Sequence, residues 1–127
     1  MVSSNLLFAA ISVPKLGVLR HVGLLLPNGF VVHCAPGRGE HSTTLEHFAS
    51  GHDVTIHTIV PPDQWSVVLA RIAEALQHPR VYHPTANNCE MFVNRMLSGQ
   101  SVSPQLQAIG GILVFATFVK LIASAGG

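Results

Sequence analysis

His21-Val22-Gly23-Leu24-Leu25-Leu26-Pro27-Asn28-Gly29-Phe30-Val31-Val32-His33-Cys34 sets two apolar runs around a Pro-Asn-Gly turn signal, and its register decides the fold. A two-residue Asn28-Gly29 loop would send His21 and His33 to opposite sides of a hairpin. A three-residue Pro27-Asn28-Gly29 loop opposes Leu26 to Phe30, Gly23 to His33 and His21 to Ala35. Pro27 suits the first corner of a type I turn, and Gly29 suits the left-handed position after it. The side chains favour that register. Val22, Leu24, Leu26, Phe30, Val32 and Cys34 then share one apolar face, while His21, Gly23, Leu25, Val31 and His33 share the other. The two histidines become a diagonal pair about 7–8 Å apart at the backbone. Gly23, opposite His33, leaves room for another group to approach.

Working outward, residues 5–13 read as an opening strand and residues 35–43 as a Gly/Pro loop. Thr44 to Ser50 reads as one helical turn, and Val54 to Val60 as a further strand. Pro61-Pro62 ends that strand, and Asp63 is placed to cap a helix over 64–77. That helix repeats Trp65, Val68, Leu69, Ile72 and Leu76 at helical spacing. Arg80 to His83 reads as a short extended piece, followed by a helix from Asn88 to Leu97 closed by Gly99. Strands followed by helices predict an α+β fold with an antiparallel sheet packed on helices.

Asn87 followed three residues later by Glu90 has the form of a capping box, which puts Cys89 in the first turn of its helix. Free backbone N–H groups and the positive dipole end favour a thiolate there. Periodicity also places Cys89 on the inward stripe with Phe92 and Met96. A thiol at a helix head, aimed at a sheet face with two histidines, is a nucleophile arrangement. Cys89 would attack, His21 would act as base, and His33 would orient it. Asn88 and Glu90 are the oxyanion and cap candidates. Arg38 and His41, in the loop after His33, are candidates for the substrate edge. Cys34 falls on the apolar face and reads as a small buried hydrophobe.

Composition narrows the classes. The 127 residues suffice for one core, 48% are apolar, and only 10% are charged. Seven Lys/Arg against six Asp/Glu is too weak a field to hold nucleic acid, so no nucleic-acid partner is expected. The remaining histidines among the chain's eight show no zinc-ligand spacing. Two cysteines do not make a disulfide framework, and the N-terminus is a poor secretory signal. An intracellular location follows as the expectation, cytoplasmic or on the cytoplasmic face of a membrane.

The histidine hairpin and the Asn87-Asn88-Cys89-Glu90-Met91-Phe92-Val93 segment together resemble the His box and Asn-Cys-Glu box of lecithin:retinol acyltransferase-like proteins. The similarity covers roughly residues 18–120. It implies a circularly permuted papain-like (NlpC-type) fold, with Cys89 as nucleophile, His21 as base and His33 as third polar member. It also implies a thiol acyltransferase or phospholipase-type hydrolase working through a thioester on a phospholipid or acyl-amide substrate, without metal or organic cofactor. The chain departs from that pattern at Lys15-Leu16-Gly17, where an acidic element is usual, at Val22, and at Met91. Two other functions are open to the same residues: a peptidase, isopeptidase or amidase of the same permuted class, and a non-catalytic membrane-associated interaction protein.

Between Arg95 and Lys120 there is no charged residue. Ser103-Pro104 would start a last helix, so residues 1–102 are expected to form the catalytic domain and residues 103–127 a hydrophobic helix. Its span 105–124 is about one bilayer core long and is expected to associate with a membrane. A buried or oligomer-forming helix is the alternative.

Overall fold

The computed structural model describes residues 7–17, 19–100 and 103. Five antiparallel strands form one sheet: β1 (Ala9–Leu16), β2 (Leu19–Leu25), β3 (Phe30–Ala35), β4 (Gly39–Thr44) and β5 (Thr55–Ile59), in the order β4-β3-β2-β1-β5. Among the described residues three α-helices accompany it: α1 (Leu45–Ala49), α2 (Trp65–Gln77) and α3 (Cys89–Ser98). The α+β expectation holds. The last helix expected over 103–127 lies outside the described residues apart from Ser103. No helix among the described residues is long and apolar enough to cross a membrane.

The hairpin adopts the three-residue register. Leu24 pairs with Val32 and Leu25 with Val31. The Gly29 N–H donates to the Leu26 carbonyl at 2.9 Å, and Gly29 takes a left-handed φ of 90°. Both faces of the sheet are covered. Val22, Leu24, Val32 and Cys34 pack with Val68, Ile72, Phe92 and Met96 of α2 and α3. On the other face Val31 packs with Ile11, Val13 and Phe48 of α1. The space expected at Gly23 belongs to Phe48: a Cβ there would lie 2.8 Å from its ring.

Three local expectations are corrected. Residues 39–43, expected as loop, and Thr44, expected to open a helical turn, form strand β4, in which His41 pairs with His33. Asp63 does not cap α2; it lies in a 3-10 turn, Pro62–Gln64, that runs into the helix. Arg80 to His83 forms no strand. Only an isolated bridge joins His83 to Asn87.

That irregular connection is held by a buried carboxylate. Glu40 accepts from Arg95 Nη2 at 2.6 Å, from Asn87 Nδ2 at 2.9 Å and from the Arg80 backbone N–H at 3.1 Å. Arg95 Nη1 also donates to Asn87 Oδ1 at 3.1 Å. At Gly39 the backbone has φ 76°, and a Cβ would meet the Arg80 carbonyl oxygen at 2.6 Å. Gly37, with φ 78°, has nothing within 4 Å of such a Cβ. Gly37→Ala should therefore cost about 1 kcal/mol for the left-handed conformation alone. Gly39→Ala should cost about 2–3 kcal/mol. Glu40→Gln should cost about 3 kcal/mol by leaving the Arg95 guanidinium without its counter-charge. Urea denaturation of the three variants checks the ranking.

Candidate active site

The site is built from β2, β3 and the head of α3. β2 and β3 pair only at Leu24–Val32 and Leu25–Val31, so the ladder stops before His21, Val22 and Gly23 find partners on β3. His21 and His33 lie on the α1 face of this opening. His21 Nε2 and His33 Nδ1 share a hydrogen bond of 2.7 Å. Phe48 holds both rings, tilted on His21 at 5.4 Å and edge-on to His33 at 5.2 Å between centroids. His41 comes within 4.3 Å of His33, its Nδ1–H donating to the Gly39 carbonyl at 2.9 Å. His33 Nε2 is buried without a partner.

Cys89 arrives from the other side. It opens α3 and is buried in the cluster that contains Val22, Leu24 and Cys34. The expectation that the thiol faces the histidine-bearing side of the sheet is corrected: α3 covers the opposite face, because its stripe of Phe92, Val93 and Met96 needs the apolar side of the hairpin. The backbone N–H groups of Val22 and Glu90 favour the thiolate form of this sulfur. The Val22 N–H belongs to the peptide that joins Val22 to His21, where the ladder is open. No hydrogen bond among the described residues joins the sulfur to either ring.

The cap of α3 is one residue later than the sequence suggests. Asn88, not Asn87, is the N-cap, its Oδ1 accepting from the Met91 N–H at 2.9 Å. Its Nδ2 donates to the Pro84 carbonyl and to Ser103 Oγ, each at 3.0 Å. That amide is occupied in holding the chain. Glu90 is buried and does not close a capping box; its Oε1 accepts from Ser103 Oγ at 2.6 Å. Arg38 lies exposed in the β3–β4 turn. Cys34 is fully buried, and burial pushes its thiol up to about 12, with the Glu40 charge adding to the shift.

Burial sets the protonation of the site. It lowers His21 to about 4, helped by the charges of Lys15 and His41. It lowers His33 to about 3, helped by His21, His41, His47 and Arg38. It raises Cys89, although the Val22 and Glu90 N–H groups and the Lys15 charge pull the other way. Burial therefore favours a neutral thiol and neutral imidazoles at rest, not the thiolate that the helix head alone suggests. Lys15 is a participant that sequence reading registered only as a departure from a pattern.

A second polar cluster ties β1, β2 and β5 together. Arg20 Nε donates to Ser12 Oγ at 2.6 Å, and Ser12 Oγ shares a hydrogen bond of 2.5 Å with His57 Nε2. Ser12 is fully buried, which makes this a bracket and closes it to substrates.

No protein-family profile matches the chain, and no curated protein is significantly similar to it.

The buried histidines make stability depend on acid. Unfolded, His21 and His33 take up protons near 6.5; folded, they resist until about 4 and 3. Between those values the unfolded chain binds more protons, so their contribution is fully present above 6.5 and is lost as pH falls. His57, lowered by burial and by Arg20, adds with the same sign. The urea midpoint should drop steadily from pH 6.5 towards 4. His33→Gln should remove up to about 1.4 kcal/mol per pH unit of that slope.

Proposed function

We propose that the protein is a cysteine-dependent acyltransferase or lipid hydrolase with a circularly permuted papain-like catalytic domain. In this reading Cys89 is the nucleophile, His21 the general base and His33 the group that orients His21. The observation that carries it is the 2.7 Å His21 Nε2–His33 Nδ1 bond beside the strand opening where the Val22 N–H favours the Cys89 thiolate. With Nε2 engaged by His33, the other nitrogen, Nδ1, is left to act on the thiol. For Nδ1 to accept a proton, the Nε2–H of His21 must donate to His33 Nδ1, which fixes both tautomers.

The chemistry follows from neutral partners. As the sulfur attacks an ester or amide carbonyl, its proton passes to His21 Nδ1. The C–S bond forms, and the carbonyl oxygen gathers charge near the backbone N–H groups at the start of α3. His21 returns the proton to the leaving oxygen or nitrogen as the C–O or C–N bond breaks. Water or an amine then attacks the thioester, giving hydrolysis or transfer. The low charge of the chain and its uncharged, apolar C-terminal stretch support an acyl-lipid substrate over a peptide.

Intact-mass measurement after incubation with phosphatidylcholine vesicles should show an acyl adduct that maps to Cys89 and is absent in Cys89→Ser. An adduct that persists in that variant overturns the nucleophile assignment. Alkylation of Cys89 by iodoacetamide should show no inflection between pH 5 and 7, where His21 is already neutral, and should rise only in the alkaline range. A rate that is already maximal at pH 5 would reveal a thiolate–imidazolium pair instead.

A further inference from the structure

We infer that the cleft between the end of α2 and the C-terminal half of α3 is a binding site for a phosphate group carried on a small molecule or a lipid head. The cleft has a volume of about 350 Å³ and is lined by Arg71, Arg80, Arg95 and His78, with Glu74 as its acidic member. Three of the seven Lys and Arg residues of a sparsely charged chain thus meet at one concavity.

Two of these cations are fixed in place before any ligand arrives. Arg71 Nη1 donates to the Met96 and Leu97 carbonyls at 2.9 and 3.0 Å, which closes the end of α3 and leaves Nε and Nη2 to other partners. Its Nη2 lies on the Gly99 side, 3.7 Å from where a Cβ of that residue would stand. Arg95 is held by Glu40 and Asn87 through one N–H of each terminal nitrogen. Each guanidinium has five N–H donors in a rigid fork, so both keep donors for an anion. Arg80 is held only through its backbone, by Glu40, and its exposed side chain can close over a ligand.

The charge count favours an anion without saturating the site. Three guanidiniums share the lining with Glu74, and Glu40 behind Arg95 compensates a second charge, leaving one net positive charge. The guanidinium fork matches phosphate and carboxylate alike, but a phosphate group offers three oxygens to three guanidiniums where a carboxylate offers two. The cleft is roomier than a bare phosphate needs, so the group comes attached to something. Arg95 follows Cys89 by six residues, about 9 Å of helix rise, which separates this cleft from the thiol. The inference does not depend on the catalytic reading.

Thermal unfolding and isothermal titration of the whole chain with inorganic phosphate and glycerol phosphate, against sodium chloride of equal ionic strength, test it. Glycerol phosphate should raise the unfolding midpoint and bind. Arg80→Gln, which alters only an exposed side chain, should weaken binding at least fivefold, and Glu74→Gln should tighten it. In parallel, co-sedimentation compares phosphatidylcholine vesicles with vesicles containing phosphatidic acid. Arg80-dependent binding of soluble glycerol phosphate identifies a small-molecule ester, and Arg80-dependent binding confined to phosphatidic acid vesicles identifies a lipid head. Phosphates acting no better than chloride in both formats, or binding unchanged in both variants, would overturn the site.

Discussion

The Glu40 carboxylate is the constraint on which the arrangement of the molecule depends. It is buried on β4, yet its partners come from the irregular connection after α2 and from the middle of α3. A buried carboxylate without compensation is very costly, so the fold must deliver Arg95, Asn87 and the Arg80 N–H together. Doing so fixes the rotation and height of α3 and pins residue 87. Asn88 then caps the helix, and Cys89 is carried to the opening between β2 and β3. Glu40 touches no reacting atom in the proposed chemistry; it places the helix that brings the sulfur.

The helix head and burial act on that sulfur in opposite directions, and their magnitudes decide the outcome. A helix N-terminus is worth about 0.3–1 kcal/mol to a nearby anion, rising to about 2 kcal/mol in buried geometries. Taking a charge out of water costs several kcal/mol. Two backbone N–H donors and the Lys15 charge help the thiolate, and Cys89 is still raised. The histidines move the other way for the same reason. Both partners are neutral at rest, so charge separation is confined to the moment of reaction. In the proposed chemistry, an acyl donor would change that balance only when bound, by displacing water and bringing a polar carbonyl.

The sequence made some of this legible for physical reasons and hid the rest. Hairpin register was readable because a one-residue slip would put a histidine into an apolar layer. The left-handed Gly29 and Gly99 marked the turn and the end of α3. The pairing of His21 with His33 followed from that register alone. Strand β4 was hidden because Gly37, Arg38 and Gly39 look like loop, and because its stability comes from pairing with β3, which local propensity does not encode. Glu40, Asn87 and Arg95 gave no signal, since separations of 47 and 55 residues carry no periodicity. The cap fell on Asn88 rather than Asn87 because Asn87 is drawn to Glu40. Two adjacent identical side chains cannot be told apart without knowing that partner.

The face assigned to α3 shows where pattern reading needs the whole sheet. A histidine pair on one side of a hairpin suggests that the catalytic helix belongs on that side. The apolar stripe of α3 instead selects the larger hydrophobic face, which also receives α2, and the histidine face is closed by the single aromatic Phe48. Burying a stripe of Phe92, Val93 and Met96 is worth several kcal/mol, far more than any preference of one thiol for an imidazole. The two halves of the site can then meet only where the sheet is incomplete. The early end of the β2–β3 ladder supplies that place, with Gly23 small enough for Phe48 to seat beside it and the Val22 N–H acting on the sulfur. A sheet paired along its full length would separate the thiol from the rings by a layer of backbone. The missing ladder bonds are therefore a structural requirement of the proposed chemistry.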